Sequence, residues 1–499
     1  MRVVQNIQMQ MGEVDVSKVK FDLKSRDDIP RVLRGLQHLY SIAALREQIF
    51  GLLQAKMAPQ VDKGNGRPGM TLWRILVCGV VRLDLNIDYD RLHELVNQHN
   101  TLREMLGHGA FDEGRYEIQT LKDNVSLLTP QLLDEINQVV ISGGHALVKK
   151  NAAEALRGRC DSFVVETHVH YPTDINLLYD AMRKVIQLSA RGCESHGLSD
   201  WRQHAYNVRH MKRMMRAAQN ARRSRAKAPE RQEKREALIV KAHTEYLDVA
   251  QHYLSKSKAT LAALKKRGTS PIEVAGWLEI EGFMKHAERQ IAQTLRRVIR
   301  KESIPHAEKV FSLFQPHTEW ISKGKAGVPV ELGVKVCILE DQYRFILHHQ
   351  VMQGSTDDQV AVSMVKEAQE RHPQLRECSF DKGFHSKGNQ LELTAQLERL
   401  VLPRKGKLSQ QAQALEQTEA FIKARHQHSA VESAINALEV HGLNKCQDHG
   451  IDGFKRYVAL AVVARNIHRM GDLLWQRECR HERRKRKCKD RDTALKKTA

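Results

Sequence analysis

Three carboxylates in this chain sit in segments that a fold can hold rigidly. Asp381 closes the apolar run of "LRECSFDKGFHSKGN", at the end of an expected strand, and Glu432 lies in "HQHSAVESAINALEVHGLNKC", an expected helix. Asp161 belongs to "RGRCDSFVVETHVHYPTD", where β-branched and aromatic residues cluster before Pro172, the composition of a strand feeding a turn. Acids gathered in one cleft repel each other unless cations sit between them. Mg²⁺, or Mn²⁺, takes hard oxygen ligands and keeps positions for water and substrate phosphate. Two such ions about 4 Å apart can activate an attacking oxygen and stabilise a leaving one. The expected chemistry is metal-dependent attack on a phosphodiester, with Asp161, Asp381 and Glu432 as metal ligands and no serine, cysteine or histidine nucleophile.

Each acid has a competitor. Glu166 and Asp174 share the segment of Asp161, and Asp174 also suits the N-cap of a helix beginning near Ile175. Asp381 is well placed to serve the turn that follows it. Glu432 borders the stripe Val431, Ile435 and Leu438, and Glu439 lies two turns later on the same side. Lys382, His385, Lys387, Arg404, Lys405, His428 and Asn436 surround these acids in sequence and suit a phosphate substrate, with His428 one helical turn before Glu432. His168 and His170 hint at a transition-metal site, but no third ligand lies near them.

The elements that must position these groups follow from periodicity. From Asp28 to about Glu154 apolar residues recur at spacings of three and four, as in "IPRVLRGLQHLYSIAALREQIFGLL", which implies a small helical domain. Its short helix pairs are compatible with a helix-turn-helix that touches DNA and equally with an ordinary bundle. After the strand of Asp161 the chain is helical and heavily charged to about Ser303. Within it Arg213, Arg216, Arg222, Arg223, Arg225 and Lys227 carry no interleaved acids, which favours a phosphate-contacting surface over a solvated helix face. Strands return as a hairpin, Val334 to Leu339 and Tyr343 to Val351, across Glu340-Asp341-Gln342. An amphipathic helix, the strand ending at Phe380-Asp381, another helix, the short strand in "RLVLPRKGK" and two apolar-striped helices complete the series. The tail "RRKRKCKDRDTALKKTA" reads as basic and disordered.

The chain of 499 residues exceeds what one core supports. Its 80 Lys and Arg against 59 Asp and Glu give a formal charge of +21, which attracts polyanions, with nucleic acid the first candidate. The longest apolar runs, "ILVCGVV" and "YVALAVVA", are too short to span a bilayer, and the N-terminal residues lack a secretory pattern. Eight dispersed cysteines without a CxxC pair suggest neither disulfides nor zinc, so a reducing cytoplasm is expected. The order strand, large helical insertion, hairpin, helix, strand, helices is that of an RNase H-like domain, in which the first and later strands lie side by side. The expected class is α+β. It comprises a helical domain over 1–155, an RNase H-like domain over 156–175 and 325–475, a basic helical insertion over 176–324, and the tail 476–499.

The strings "CDSFVVETHVHYPTDINLL", "EKVFSLFQPHTEWISKGKAGVPVELG", "FDKGFHSKGNQ" and "HSAVESAINALEVHGLNKCQDHGIDGFKRYVALAVVARNIHRMG" resemble bacterial insertion-sequence transposases of the DDE type, in the group called ISNCY. The segment "GRPGMTLWRILVCGVVRLDLNIDYDRL" is similar to their helical N-terminal region, so the resemblance covers most of the chain. It implies that Asp161, Asp381 and Glu432 bind two divalent ions, with Asn466 matching the downstream "N" of the glutamate motif. It also implies double-stranded DNA as partner, both the terminal inverted repeats and the target. A homo-oligomer in the DNA complex and a bacterial, nucleoid-associated location follow from the same resemblance. One departure is that Arg425, His428 and Glu439 occupy positions where related enzymes often carry Tyr, Arg and Lys. A nuclease that cuts without joining and an inactive DNA-binding protein are the competing expectations.

Overall fold

The structure is a computed structural model that describes residues 3–4, 12–57, 69–109, 112–151, 153–223, 229–268, 270–322 and 330–498. Two compact units form, Met1–His168 with Ile321–Ala499, and Val169–Trp320. The first unit carries a mixed sheet. Its strands are β1 (Leu156–Thr167), β3 (Val330–Glu340), β4 (Ile346–Met352), β5 (Leu375–Phe380), β6 (Arg399–Val401) and β7 (Lys445–Cys446), while β2 (Glu319–Ser322) spans the chain junction between the units. Strands β4, β3, β1, β5 and β6 lie side by side in that order, with β7 paired to the end of β1. Strand β3 runs antiparallel to β1 and β4, whereas β5 runs parallel to β1 and β6 parallel to β5.

The hairpin of β3 and β4 follows from one side chain. Asp341 accepts the backbone N–H groups of Tyr343 (2.8 Å) and Phe345 (2.9 Å) on Oδ1 and pairs with His145 through Oδ2 at 2.6 Å. Along β1 the side chains alternate between two cores. Leu156 and Cys160 face one side, with Cys337, Leu339, Cys378, Phe380 and the helices Asp357–Arg371 and Lys387–Gln396. Phe163 and Val165 face the other, with Val334, Val336, the helix Ala430–Leu438 and the long helix Gly450–Thr498. Apolar burial on both faces is what a central strand with such β-branched content demands.

The N-terminal helices, expected as a domain of their own, belong to this same unit and share the second core with the sheet. The reason is close helix packing. A Cβ on Gly35 would stand 2.3 Å from the carbonyl oxygen of Ile467, and one on Gly471 would stand 1.9 Å from that of Arg31. These two glycines let the helices Ile29–Ser41 and Gly450–Thr498 meet backbone to backbone. The tail expected to be disordered instead continues this helix to Thr498. Its sequence has no Gly or Pro after Gly471 and is rich in Lys and Arg, both good helix formers.

The second unit is helical, with Asp174–Ser195, His204–Arg223, Pro229–Lys265 and Pro271–Thr294. Its own core gathers Leu178, Met182, Met211, Tyr246 and Trp277. Ser270 and Glu273 form a capping box that starts the last of these helices, with Pro271 at its first position. The insertion thus occupies 169–320 as one unit, against the 176–324 read from composition. Thr173, not Asp174, is the N-cap of the first helix, its side chain accepting the N–H of Asn176. Among the described residues no helix is long and apolar enough to cross a membrane.

Candidate active site

The parallel pairing of β1 with β5 brings two of the expected acids together. Arg157 pairs with Glu377, Arg159 with Ser379 and Cys160 with Phe380. One further step along the same register sets Asp161 beside Asp381, immediately after the last residue of β5. Paired residues of neighbouring strands point to one face, and alternate residues share it. Arg157, Arg159 and Asp161 therefore line up beside Glu377, Ser379 and Asp381 on the face that carries Phe163 and Val165.

The helix Ala430–Leu438 covers that face. Its Val431, Ala434 and Leu438 are buried in the core, and Glu432 stands exposed at the border of that stripe. The charges of the other acids act on Asp161. Asp161 is pushed up to about 6, first by burial and then by the charges of Asp381, Asp357 and Glu432, while the Ser162 N–H, 2.7 Å from its Oδ1, pulls the other way. Glu432 is thus a glutamate whose charge is felt at Asp161. Of the alternatives to Asp161, Asp174 pairs with Arg297 at 2.6 Å within the second unit, and Glu166 is exposed, paired in register with Lys445 and Gly333.

A fourth acid, Asp357, is one that sequence reasoning missed. It opens the helix Asp357–Arg371, where an Asp in "TDDQ" reads as an ordinary first-turn acid. Ser162 Oγ donates to its Oδ1 at 2.6 Å, and Lys335 Nζ lies 3.1 Å from both oxygens. Lys335 neutralises this acid, so Asp357 is spoken for in a way that Asp381 and Glu432 are not. The signal available in sequence was only its place after the hairpin.

The other expected groups have definite places. Asp381 begins the turn Lys382–Phe384, and its carbonyl accepts the Phe384 N–H at 3.2 Å. Lys405 Nζ reaches the Gly383 carbonyl at 2.6 Å and its backbone N–H meets His385 Nδ1 at 3.3 Å, so the loop after β6 ties down the turn that carries Asp381. Lys382 and Lys387 are exposed, and Arg404 is half-buried with its N–H on Glu416 at 2.9 Å. His428 bonds Ser379 through Nδ1 at 3.0 Å. Burial lowers it to about 4, against the pull of Asp381, so near neutral pH it offers a hydrogen bond and no charge. Asn466 sits away from the acids: it is buried, bonding the backbone of Ile346 at 2.9 and 3.0 Å and Asn137 at 2.7 Å. In the second unit Arg213, Arg216 and Arg223 are on the helix His204–Arg223, opposite the buried Met211, Met215 and Ala218, whereas Arg222 falls on the side of those buried residues, within the fields of Arg297 and Asp174. Arg225 and Lys227 lie outside the described residues. His170 pairs with Asp180 at 3.4 Å.

Among the described residues one group of three side chains closes tightly enough to hold a metal ion, its ligand atoms all within 4.8 Å of one another. It is the buried Asp84, His441 and His468. Both oxygens of Asp84 lie 3.0 Å from His468 Nδ1, and Asp84 raises the His468 pKa against its burial. Two imidazoles suit a transition metal and not Mg²⁺. Asp161, Asp381 and Glu432 are not drawn into so closed a group. All-oxygen donors nevertheless fit hard divalent ions, and acids that flank a pair of ions about 4 Å apart stand further from each other than the ligands of a single ion.

Comparison with known proteins adds no identification: no family model, no curated protein and no solved structure matches the chain.

Proposed function

We propose that this protein is a DNA transposase of the DDE type, in which Asp161, Asp381 and Glu432 hold two Mg²⁺ or Mn²⁺ ions at an RNase H-like sheet. The observation that carries this reading is the parallel register of β1 and β5, which runs to Cys160 beside Phe380 and one residue on sets Asp161 beside Asp381 on one face. The strand order β4, β3, β1, β5, β6 with β3 antiparallel supports the RNase H-like assignment, and the net charge of +21 supports DNA as the partner.

Bound divalent ions would supply the charge that polarises a phosphate and lowers the pKa of attacking water. The chain supplies position. Ser162 orients Asp161, the Lys405 clasp fixes the turn of Asp381, and the buried stripe of Val431 and Ala434 fixes Glu432. In the first reaction a water oxygen attacks phosphorus at the element end and the bond to the 3′ oxygen breaks, leaving a free 3′-hydroxyl. In the second, that hydroxyl attacks a target phosphodiester, loses its proton and displaces the target's own 3′ oxygen. Both are in-line displacements that one set of carboxylates can serve.

The test is Asp381→Ala assayed on DNA carrying the element ends. Mg²⁺-dependent cleavage is expected to vanish while DNA affinity stays within about twofold of wild type, and wild type is expected to yield strand-transfer products. Cleavage without joined products would make the protein a nuclease. A wild-type protein that binds DNA and cuts nothing with Mg²⁺ or Mn²⁺ would overturn the catalytic reading.

A further inference from the structure

On the sheet face that bears Asp161 and Asp381, a cavity of about 310 Å³ opens beside the acids. Its floor is Arg157, Gly158 and Arg159 of β1 with Glu377, Cys378 and Ser379 of β5, and its roof comes from the helix Glu419–His428, through His426 and Gln427. Arg399 of β6 closes one side. The volume is at the lower end of that of small-molecule sites.

The charges inside are unbalanced. Arg399 lies 3.8 Å from Glu377 and Arg159 pairs with Glu340 at 2.7 Å, which leaves Arg157 as the lining cation with no ion pair among the described residues. Arg159 uses one terminal nitrogen on Glu340 and on the Asp341 carbonyl, both at 2.7 Å, while its Nε is buried without a hydrogen-bond partner among the described residues. Arg157 is exposed; its backbone N–H, held at 2.9 Å by Gln342, anchors it to the loop between β3 and β4. A buried guanidinium nitrogen without an acceptor, beside a second arginine, is a site for an oxyanion. Gly158 contributes a floor without a side chain, and Gln427 adds hydrogen-bonding groups suited to a sugar or base, while the Gln342 amide is engaged by Arg157, Glu154 and Ala155.

The placement specifies which oxyanion. Arg159 and Asp161 are two residues apart on one strand face, a separation of about 6.6 Å. That is close to one internucleotide step along a strand. We propose that the cavity is a nucleotide subsite, in which Arg157 and Arg159 hold the phosphate next to the one cut at Asp161 and Asp381, with the attached nucleoside seated under the helix Glu419–His428. This inference rests on the transposase reading for the identity of the strand; the affinity of the cavity for a nucleotide does not depend on it.

The experiment titrates the full-length protein with thymidine 5′-monophosphate in the absence of divalent metal, by calorimetry, and then measures how the same nucleotide affects Mg²⁺-dependent cutting of element-end DNA. Wild type and Asp381→Ala are expected to bind the nucleotide equally, and Arg157→Glu and His426→Ala at least tenfold more weakly, with thymidine itself binding none of them. The nucleotide is expected to inhibit wild-type cleavage competitively, and Arg157→Glu to cut with a KM raised at least tenfold. Binding that is unchanged by both substitutions, or absent in wild type, overturns the subsite. So does binding that leaves cleavage uninhibited, which would make the cavity a site for free nucleotide. If wild type binds the nucleotide through Arg157 yet cuts no DNA, the transposase reading fails while the cavity's chemistry stands.

Discussion

Asp161 shows how one residue can be costly to the fold and useful to the proposed reaction. Its carboxyl is raised from 3.8 to about 6 by burial and three neighbouring acids, so the folded protein binds a proton there more tightly than the unfolded chain does. Stability from this group is fully present below pH 3.8 and is lost as pH rises through about 6. The loss amounts to about 3 kcal/mol at pH 8, at 1.36 kcal/mol per pH unit. Asp161→Asn is therefore expected to raise the melting temperature of the metal-free protein at pH 8, to leave it near wild type at pH 4, and to abolish any stabilisation by added Mg²⁺. Thermal unfolding across pH 4 to 8, with and without Mg²⁺, reads all three. A wild-type stability that is flat through pH 6 would mean that Asp161 is not under this strain.

At the scale of elements, strands and their acids were legible because they rest on local composition. The β-branched run of β1, the two arms of the hairpin and the short strand ahead of Asp381 announce themselves in sequence, and so does the stripe that buries Val431 and Leu438. The pairing that matters was not legible. Arg157 and Arg159 reveal a cavity only once β1 lies parallel to β5, some two hundred residues away, and Asp357 matters only because β1 and Lys335 flank the start of its helix. The merging of the N-terminal helices with the acid-bearing sheet was hidden for the same reason, since Gly35 and Gly471 look like helix-weakening residues until the helices touch. That packing gives a prediction of sign. Gly→Ala inside an exposed helix stabilises by about 1 kcal/mol, but Gly471→Ala places a methyl group where a Cβ would stand 1.9 Å from the Arg31 carbonyl oxygen. A loss of about 1 to 3 kcal/mol is expected instead, as for overpacked cores. Urea denaturation of Gly471→Ala against Gly51→Ala, a position with open space around its Cβ, compares the two cases directly.

Over the whole molecule, the acids and the uncompensated cations are divided between two units. The three proposed metal ligands belong to the unit of Met1–His168 and Ile321–Ala499, whereas Arg213, Arg216, Arg222 and Arg223 lie on one helix of Val169–Trp320. That helix turns Met211, Met215, Ala218 and Ala221 inward, which leaves Arg213, Arg216 and Arg223 exposed together and with nothing in the sequence nearby to neutralise them. On the transposase reading this surface contributes affinity through phosphates and carries no chemistry. Changing Arg213, Arg216 and Arg223 together to Ala is expected to lower the slope of log K against log salt by about 0.9 for each phosphate no longer neutralised, up to roughly 2.7 in all. Affinity should weaken alike on element-end and unrelated DNA, because a grip on phosphates conveys no sequence information. Cleavage at saturating DNA should persist, since the carboxylates are untouched. Binding isotherms at several salt concentrations measure the slope, and a slope unchanged by the triple substitution would assign these arginines to solvent alone and move the DNA-binding surface to the Lys382, Lys387, Arg404 and Lys405 cluster beside the acids.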